Sequence, residues 1–250
     1  MLSASEKERY IRQLSIDGFG EPQQEKLARA TVLIAGAGGL GCSVSLYLAA
    51  AGVGRMRIVD EEFVALSDLN RQIAYSDRDI GRPKVEAMAR RIGELNGGVQ
   101  VEPHHLRLDE ANLPALSQGC DAIIDALDNL PSRYAVNKEA LGSGIPIVHG
   151  AALSFFGQVM TMLPGETPCL MCLYRGRVTS GATPVIGVTP GVIGLLQAVE
   201  TIKLLTGLGR LLKGKLLVFD GLQMSFSELE IPRDPDCPAC GVGTVRASTD

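Results

Sequence analysis

Residues 31–41, TVLIAGAGGLG, decide the fold of this chain. Residues 31–35 form a short apolar run, which is typical of a strand buried on both faces of a parallel sheet. The turn that follows matches G-x-G-x-x-G directly after a strand and directly before a helix, with Gly36, Gly38, Gly39 and Gly41. Such glycines allow a tight turn and let backbone N–H groups approach a phosphate, which the helix N-terminus also favours. The stretch therefore predicts a nucleotide-binding turn.

Strand and helix patterns alternate around this turn as far as residue 150. This alternation predicts an α/β fold with a doubly wound, mostly parallel, Rossmann-like sheet. Further strands are predicted at residues 56–59, 99–103, 121–126 and 146–149. Helices are predicted at residues 3–14 and 21–30, from the glycine turn through residue 51, and at residues 80–95 and 131–141.

The pattern changes after residue 150. Residues 152–163 and 216–230 alternate or run apolar without intervening helices, which predicts antiparallel strands that extend the sheet. A helix is predicted at 191–206. Residues 175–190 are rich in Gly, Thr and Pro and predict a long loop, a feature that often carries function.

The composition limits the classes of partner. Of 250 residues 46% are hydrophobic and 21% charged, and the formal net charge is −4. That charge argues against a protein that coats nucleic acid or a membrane surface. We expect no segment of the apolar length that spans a bilayer and, because residues 1–30 are charged throughout, no secretory signal. The chain is predicted to be soluble and cytoplasmic, with no nucleic-acid or membrane partner.

Charged side chains follow the glycine turn at informative positions. Asp60 ends the next predicted strand, where a carboxylate can accept hydrogen bonds from ribose hydroxyls. With the turn, it predicts an adenine nucleotide without choosing among NAD, FAD and ATP. The segments SDLNRQ (67–72) and GRPK (81–84) then place Arg71 and Lys84 near the same sheet edge, and cations there suit a phosphate chain. Asp128 follows the predicted strand at 121–126, where it would project towards the same crevice and is well placed to hold Mg²⁺.

Two Cys-x-x-Cys pairs predict a metal site. Cys169/Cys172 and Cys237/Cys240 have the spacing of zinc knuckles, and four thiolates would close a tetrahedral shell, so the site is predicted to be structural. A redox role is the alternative for either pair taken alone. Cys42 and Cys120 are predicted to be small buried hydrophobic residues. No role is assigned to the three histidines, His104, His105 and His149.

These motifs occur together in a known order. The glycine turn, Asp60, SDLNRQ, GRPK and DALDN (125–129), with ERYIRQ at residues 8–13, resemble the HesA/MoeB/ThiF adenylyltransferases of the ubiquitin-activating-enzyme superfamily over residues 6–241. One departure is Asp68, where such proteins usually carry Asn. A carboxylate near a triphosphate must be solvated, hydrogen-bonded or bound to metal.

The resemblance implies a set of roles for the site residues. Arg71 and Lys84 would neutralise the triphosphate of ATP, Asp128 would carry Mg²⁺, and Arg12 would enter the neighbouring subunit's site in a homodimer. The implied nucleotide-binding residues are Gly36, Gly38, Gly39, Gly41, Asp60, Ser67, Asp68, Asn70, Arg71, Lys84, Asp128 and Asn129. Residues 1–250 would form a single adenylation domain, with N-terminal helices (1–30), a nucleotide-binding half (31–150), a carrier-binding half with the zinc site (151–241) and a tail (242–250).

The implied activity is adenylation of the C-terminal glycine of a small ubiquitin-like sulfur-carrier protein. Residues 173–236 contain no cysteine, so the chemistry is predicted to stop at the acyl-adenylate. Sulfur would come from another protein, such as a cysteine desulfurase or a sulfurtransferase. Molybdopterin, thiamine, cysteine and siderophore-type pathways all fit the sequence. The rival interpretations are an NAD-dependent oxidoreductase, a non-catalytic carrier-binding scaffold, and an enzyme that adenylates a small molecule, a peptide or a tRNA-borne carboxylate.

Overall fold

A computed structural model describes residues 2–177 and 184–241. The middle of the loop predicted at 175–190 and the predicted tail at 242–250 lie outside the described residues. The described strands form one sheet in the order β3-β2-β1-β4-β5-β6-β7-β8. In chain order they are β1 (Thr31–Ala35), β2 (Arg55–Val59), β3 (Gln100–His104), β4 (Ala122–Asp125), β5 (Ile147–Leu153), β6 (Phe156–Met162), β7 (Lys215–Asp220) and β8 (Ser225–Glu230).

The sheet has a parallel part and an antiparallel part. Strands β1 to β5 pair in parallel, whereas β6, β7 and β8 follow β5 in antiparallel pairs. The predicted doubly wound sheet with an antiparallel C-terminal extension is therefore confirmed. Because the chain leaves the β3 edge and re-enters the sheet on the other side of β1, the carboxyl ends of β1 and β4 border a crevice, where open α/β sheets bind ligands.

Helices cover both faces of the parallel part. Val32 and Ile34 of β1 pack into one buried apolar cluster and Leu33 and Ala35 into another, which is why this strand is apolar throughout. The helices are α1 (Ala4–Arg9), α2 (Ile11–Leu14), α3 (Gly20–Arg29), α4 (Gly39–Ala51), α5 (Lys84–Leu95), α6 (Leu113–Ser117), α7 (Leu130–Ser143), α8 (Leu170–Tyr174) and α9 (Val188–Thr206).

The helix predicted at 80–95 begins only at Lys84. Gly81 has a positive φ of 82°, a left-handed conformation that a right-handed helix does not contain. Pro83 is the N-cap, with a non-helical ψ of 131°, and its ring nitrogen has no N–H to donate to a preceding turn. The later start puts Lys84 at the first position of α5, in the wall of the crevice.

The stretch predicted as strand at 216–230 is a hairpin of β7 and β8. Asp220 ends β7, and its Oδ1 accepts hydrogen bonds from the backbone N–H groups of Leu222 (2.9 Å) and Gln223 (3.1 Å). Met224 then has a positive φ of 50°. The short polar side chain of Asp220 therefore caps a reversal of the chain.

Helix α9 corrects the expectation that no segment could span a membrane. It has 19 residues and a mean hydropathy of 1.3, so it reaches that length and composition. In the fold it packs on α4, β5 and β6, and its own side chains Ile193 and Ala198 are buried. Its apolar character is that of a core helix in contact with other elements.

Candidate active site

A cavity of about 380 Å³ lies in the crevice at the carboxyl ends of β1, β2 and β4. Its walls come from the glycine turn, the ends of β2 and β4, the segment after β2, and the start of α9. The site residues that line it are Gly36, Gly38, Gly39, Asp60, Asp68, Arg71, Lys84, Asp128 and Asn129.

The glycines of the turn have different structural reasons. Gly36 has a φ of 99°, and a Cβ there would lie 2.8 Å from the Ala126 carbonyl oxygen. Gly41 packs behind the turn, because its Cβ would lie 2.1 Å from the carbonyl oxygen of Gly36. Gly38 is the N-cap of α4, and a Cβ at this residue would face open space in the crevice. Gly36 and Gly41 thus build the turn, and Gly38 leaves room for a ligand against the helix N-terminus.

Asp60 connects the glycine turn to the end of β2. Its Oδ2 accepts the backbone N–H of Ala37 (2.8 Å) and its Oδ1 that of Glu62 (2.8 Å). Burial raises the pKa of Asp60, against the lowering effect of these two hydrogen bonds. Each carboxylate oxygen has a second lone-pair direction, so acceptance from a ribose hydroxyl is compatible with both contacts.

Asp68 is hydrogen-bonded within the chain. Its Oδ1 accepts from Gln72 Nε2 (2.8 Å) and from Arg71 Nη2 (3.2 Å), and its Oδ2 accepts from the Ala65 backbone N–H (3.0 Å). The carboxylate also lies 3.5 Å from the Lys84 ammonium. The sequence left three possibilities for this carboxylate: solvation, hydrogen bonding or metal binding. The structure shows hydrogen bonding, and both Arg71 and Lys84 contact the carboxylate.

Lys84 is a buried cation at the start of α5. Only 2% of the residue is exposed, and its Nζ donates to Glu62 Oε2. Burial opposes the charged form, but the carboxylates of Glu62, Asp60 and Asp68 outweigh burial and raise the pKa of the Lys84 ammonium. The side chain is therefore a fixed positive charge at the crevice wall.

The charge balance of the crevice is a finding that the motifs did not predict. Among the described residues, three cationic side chains line it (Arg71, Lys84 and Arg107), against five carboxylates (Asp60, Glu61, Glu62, Asp68 and Asp128). A buried cation needs a counter-charge when no phosphate is present, which is the physical reason for the pairing. The Glu62 side chain is 64% exposed, so the carboxylate paired with Lys84 is in contact with solvent.

Asp128 and Asn129 form the opposite lip. Asp128 is exposed and its Oδ1 accepts from Asn129 Nδ2 at 3.3 Å. Asn129 also caps α7, because its Oδ1 accepts the backbone N–H of Ser132 at 2.9 Å. The cap fixes where α7 begins and so holds Asp128 at the crevice edge.

The remaining predicted site residues lie beside the cavity. The Ser67 carbonyl (2.8 Å) and Asn70 Oδ1 (3.1 Å) accept hydrogen bonds from Arg71 Nη1, so both orient the guanidinium. Arg12 is exposed on α2 and is not among the described residues that line this chain's own cavity.

A buried polar network lies directly beneath the Asp128 lip and was missed in the sequence. We call it the Asp125 network; its members are Asp125, Arg133, His149, Gln158 and Tyr174. Asp125 and His149 are fully buried, and Asp125 Oδ2 accepts from His149 Nδ1 at 2.7 Å. The signal available was weak: Asp125 is the second of three aspartates in DAIIDALD, and no local pattern pairs it with His149.

The four predicted metal ligands come together. Their Sγ atoms all lie within 4.8 Å of one another, with 3.8 Å between Cys169 and Cys237 and 3.5 Å between Cys172 and Cys240. Four sulfurs about 2.3 Å from a tetrahedral zinc ion would be about 3.8 Å apart, so these residues fit a metal ion. The separations are far longer than a disulfide bond, and all four thiols are free.

The two other cysteines, Cys42 and Cys120, are buried and lie outside the tetracysteine cluster. Burial raises the pKa of Cys42 to about 12, and burial also raises the pKa of Cys120. Thiols of this kind are not nucleophiles at neutral pH. Their placement agrees with the prediction of small buried residues.

Comparison with known proteins gives the class to which this fold and site belong. The ThiF family model matches residues 10–239, and the chain belongs to the ThiF family. The chain is 42% identical over 247 residues to the sulfur carrier protein adenylyltransferase of Thermus thermophilus, covering 94% of this chain and 91% of that protein. It is 40% identical over 246 residues to the molybdopterin-synthase adenylyltransferase of Escherichia coli, covering 96% of this chain and 98% of that protein.

Among solved structures, the fold is similar to that of E. coli MccB crystallised with ATP. The TM-score is 0.83 at 24% identity, and the match covers 96% of this chain and 75% of that chain. The family resemblance predicted from the motifs is thus confirmed. The NAD-dependent oxidoreductase alternative receives no support from these relatives.

Proposed function

We propose that this protein is an ATP-dependent adenylyltransferase that activates the C-terminal carboxylate of a small ubiquitin-like sulfur-carrier protein. One observation carries the proposal: a ThiF-family chain gathers the glycine turn, Arg71, Lys84 and Asp128 around a single cavity at the sheet's switch point. Adenylyltransferases of sulfur carriers are also what its relatives are named.

The reaction needs positioning and charge neutralisation more than acid–base chemistry. The carrier carboxylate is already ionised and attacks the α-phosphorus of ATP in line with departing pyrophosphate, giving the acyl-adenylate. Arg71 and Lys84 would neutralise the phosphates, and the open space at Gly38 would admit them to the N-terminus of α4. Gly39 and Asp60 would hold the phosphate chain and the ribose.

Asp128 is the residue proposed to hold Mg²⁺. Its exposed carboxylate at the crevice lip is a hard oxygen ligand, which this ion prefers. When bound, the ion would offset negative charge that builds up on the pyrophosphate. Because carboxylates outnumber cations among the described lining residues, such an added cation would favour entry of a triphosphate.

A second subunit would complete the site. We propose a homodimer in which the exposed Arg12 of one subunit reaches the crevice of the other and supplies the missing positive charge. The carrier would end in Gly-Gly, since a flexible tail without side chains can approach the nucleotide in the crevice without steric clash. Sulfur would be delivered afterwards by a cysteine desulfurase or a sulfurtransferase, because residues 173–236 contain no cysteine to take part.

The proposal also includes the metal and the domain layout. The tetracysteine cluster would hold Zn²⁺ as a structural ion that ties the C-terminal segment to α8. Residues 1–250 would act as one cytoplasmic domain, with nucleotide-binding and carrier-binding halves that meet near residue 150, and with no nucleic-acid or membrane partner.

Two assays test the proposal against its rivals. Thermal shift should show stabilisation by ATP with Mg²⁺ and none by NADH, because the dinucleotide has no triphosphate for Lys84 and Arg71. ATP–pyrophosphate exchange should then require a carrier with a Gly-Gly terminus. Stabilisation by NADH alone would favour the oxidoreductase. Carrier binding without any exchange would favour the scaffold, and exchange driven by a small acid or peptide would favour the third rival.

A further inference from the structure

The Asp125 network holds the backbone of the residue that precedes Asp128. Asp125 Oδ1 accepts the backbone N–H of Leu127 at 3.2 Å, and Arg133 Nη2 donates to the carbonyl oxygen of Leu127. The same Nη2 donates to the Gly150 carbonyl on β5 at 2.8 Å. Both polar groups of the Leu127 backbone are therefore fixed by side chains of the network.

The hydrogen bonds of the network have one consistent direction. Burial lowers the pKa of His149, so the ring is neutral at neutral pH, and its Nδ1–H donates to Asp125. Its Nε2 then accepts the hydroxyl proton of Tyr174 at 2.9 Å. The Tyr174 oxygen in turn accepts from Gln158 Nε2 (2.7 Å) and Arg133 Nη1 (3.0 Å). Every lone pair and proton of this hydroxyl is used.

Tyr174 connects the network to the tetracysteine cluster. It is the last residue of α8, a helix of five residues whose N-cap is Cys169 and which contains Cys172. Tyr174 and the two cysteines therefore belong to one short helix and its cap, and Tyr174 contacts both His149 and Arg133. The chain of contacts runs from the metal-ligand cluster to Leu127 without a gap.

We propose that His149 and Tyr174 are positioning residues for the lip at 126–129, and that through Tyr174 the tetracysteine cluster sets the position of Asp128. The proposal deepens the proposed function and rests on it for the catalytic role of Asp128. No side chain of the network is among the described residues that line the cavity. The network acts by keeping a loop in one conformation, and small displacements of such loops are costly to catalysis.

Tyr174→Phe is the sharpest test, because it removes one hydroxyl and leaves the ring packing in place. The acceptor on His149 and the donors on Gln158 and Arg133 then lose their shared partner. We expect hydrogen–deuterium exchange of residues 126–129 to rise several-fold over that of the wild type, while β2, which lies outside the network, stays protected. Tyr47→Phe is the matched control, since Tyr47 is 56% exposed on α4.

Kinetics separate positioning from simple loss of stability. Tyr174→Phe should lower kcat for pyrophosphate exchange about tenfold, change the KM for ATP less than about twofold, and raise the Mg²⁺ concentration needed for half-maximal rate. His149→Asn keeps a donor for Asp125 but loses the acceptor for Tyr174, so it should give the same pattern. The double variant should be no worse than either single variant, because both break one connection.

Removal of the metal tests the link to the cysteines. A chelator should raise hydrogen–deuterium exchange at residues 126–129 in the wild type, and Zn²⁺ should restore protection. In Tyr174→Phe the chelator should cause no further rise at these residues. The proposal is wrong if Tyr174→Phe and Tyr47→Phe show equal hydrogen–deuterium exchange at residues 126–129. It is also wrong if hydrogen–deuterium exchange rises at residues 126–129 while kcat for pyrophosphate exchange is unchanged. A third contradicting result is that chelation raises hydrogen–deuterium exchange in α8 but not at residues 126–129. If the exchange pattern is as expected but the wild type catalyses no pyrophosphate exchange, the positioning stands and the proposed function fails.

Discussion

Lys84 is a buried positive charge in the wall of the site. It is almost fully buried, its ammonium contacts Glu62 and Asp68, and these carboxylates keep it charged despite burial. A charge held in place before the ligand arrives needs no reorganisation during the reaction, which is the main way in which a protein stabilises a charged transition state.

Lys84→Ala should abolish this contribution. We expect pyrophosphate exchange to fall by about two to three orders of magnitude, the range seen when a preorganised donor to a developing charge is removed. The control is Lys138→Ala, which breaks an exposed ion pair with Glu110 and should leave exchange unchanged. Circular dichroism should show both variants folded. Near-normal exchange in Lys84→Ala would remove this residue from the site.

At the scale of single residues, motifs predicted cations better than their partners. Arg71 and Lys84 were predicted because they stand in short segments with recognisable spacing after the glycine turn. Glu62 was missed because it reaches Lys84 across a loop with no periodic pattern. His149 was missed because it meets Asp125 only through the parallel pairing of β4 and β5, in which the two residues are direct partners.

Among the elements, the glycine turn and α4 depend on close packing as well as on room for phosphate. A Cβ at Gly41 would lie 2.1 Å from the Gly36 carbonyl oxygen, so the helix could not approach the strand as it does. The two demands fall on different glycines, which is why one motif serves both strand–helix packing and ligand access.

Gly41→Ala should therefore destabilise the fold. We expect a loss of about 1–3 kcal/mol in the free energy of unfolding, because an added methyl in a tight contact forces backbone shifts. Gly93→Ala is the matched control: it lies in α5 with nothing within 4 Å of its Cβ. That change should gain roughly 0.5–1 kcal/mol from lower backbone entropy in the unfolded chain. Urea unfolding of both variants decides the matter, and equal effects would contradict the packing argument.

The pairing of β4 with β5 buries a titratable group and makes stability depend on pH. The pKa of His149 is lowered from its ordinary 6.5, chiefly by burial, so the unfolded chain binds a proton more readily than the folded one. Stability is then fully present above pH 6.5 and is lost as pH falls through the lowered folded value. Asp125, whose pKa is also lowered, adds a further loss below 3.8.

His149→Asn should flatten the upper part of this profile. The variant has no titratable group at residue 149. Its free energy of unfolding should therefore change less than that of the wild type between about pH 7 and about pH 5, the range that spans the ordinary histidine pKa. Chemical denaturation at several pH values measures the difference. Parallel profiles for the two proteins would show that His149 does not carry the dependence.

Secondary structure was predicted well where the pattern was local and poorly where a turn decided it. The continuous apolar run of β1 and the helix after the glycine turn were predicted to the residue or nearly so. Helix α5 begins four residues later than predicted, because the backbone conformations of Gly81 and Pro83 interrupt the helical pattern. The short helices α6 and α8 were not predicted, since five residues give too little periodicity to detect.

At the scale of the whole molecule, the tetracysteine cluster joins two distant parts of the chain. Cys169 and Cys172 precede α9, whereas Cys237 and Cys240 follow β8, and their sulfurs meet in one buried group. Binding of a metal to such a group contributes directly to the free energy of folding, because the site does not exist in the unfolded chain.

Metal removal should consequently lower the melting temperature. A loss of about 3 kcal/mol would lower Tm by roughly 6–12 °C for a chain of this size, with full recovery on addition of Zn²⁺. Elemental analysis should find one zinc ion per chain in the wild type and in Cys42→Ser/Cys120→Ser, which should also keep pyrophosphate exchange. Cys240→Ser should lose the ion. An unchanged Tm after complete metal removal would contradict a structural role.

The central claim concerns the bond made at the carrier's C-terminus, and intact-mass spectrometry measures it directly. A ubiquitin-like carrier ending in Gly-Gly, incubated with the protein, ATP and Mg²⁺, should gain the mass of one adenylyl group and release pyrophosphate. A carrier without its last two glycines should not change, and Lys84→Ala should form the product about two to three orders of magnitude more slowly. A carrier that binds tightly with ATP present but keeps its mass and yields no pyrophosphate would contradict the account.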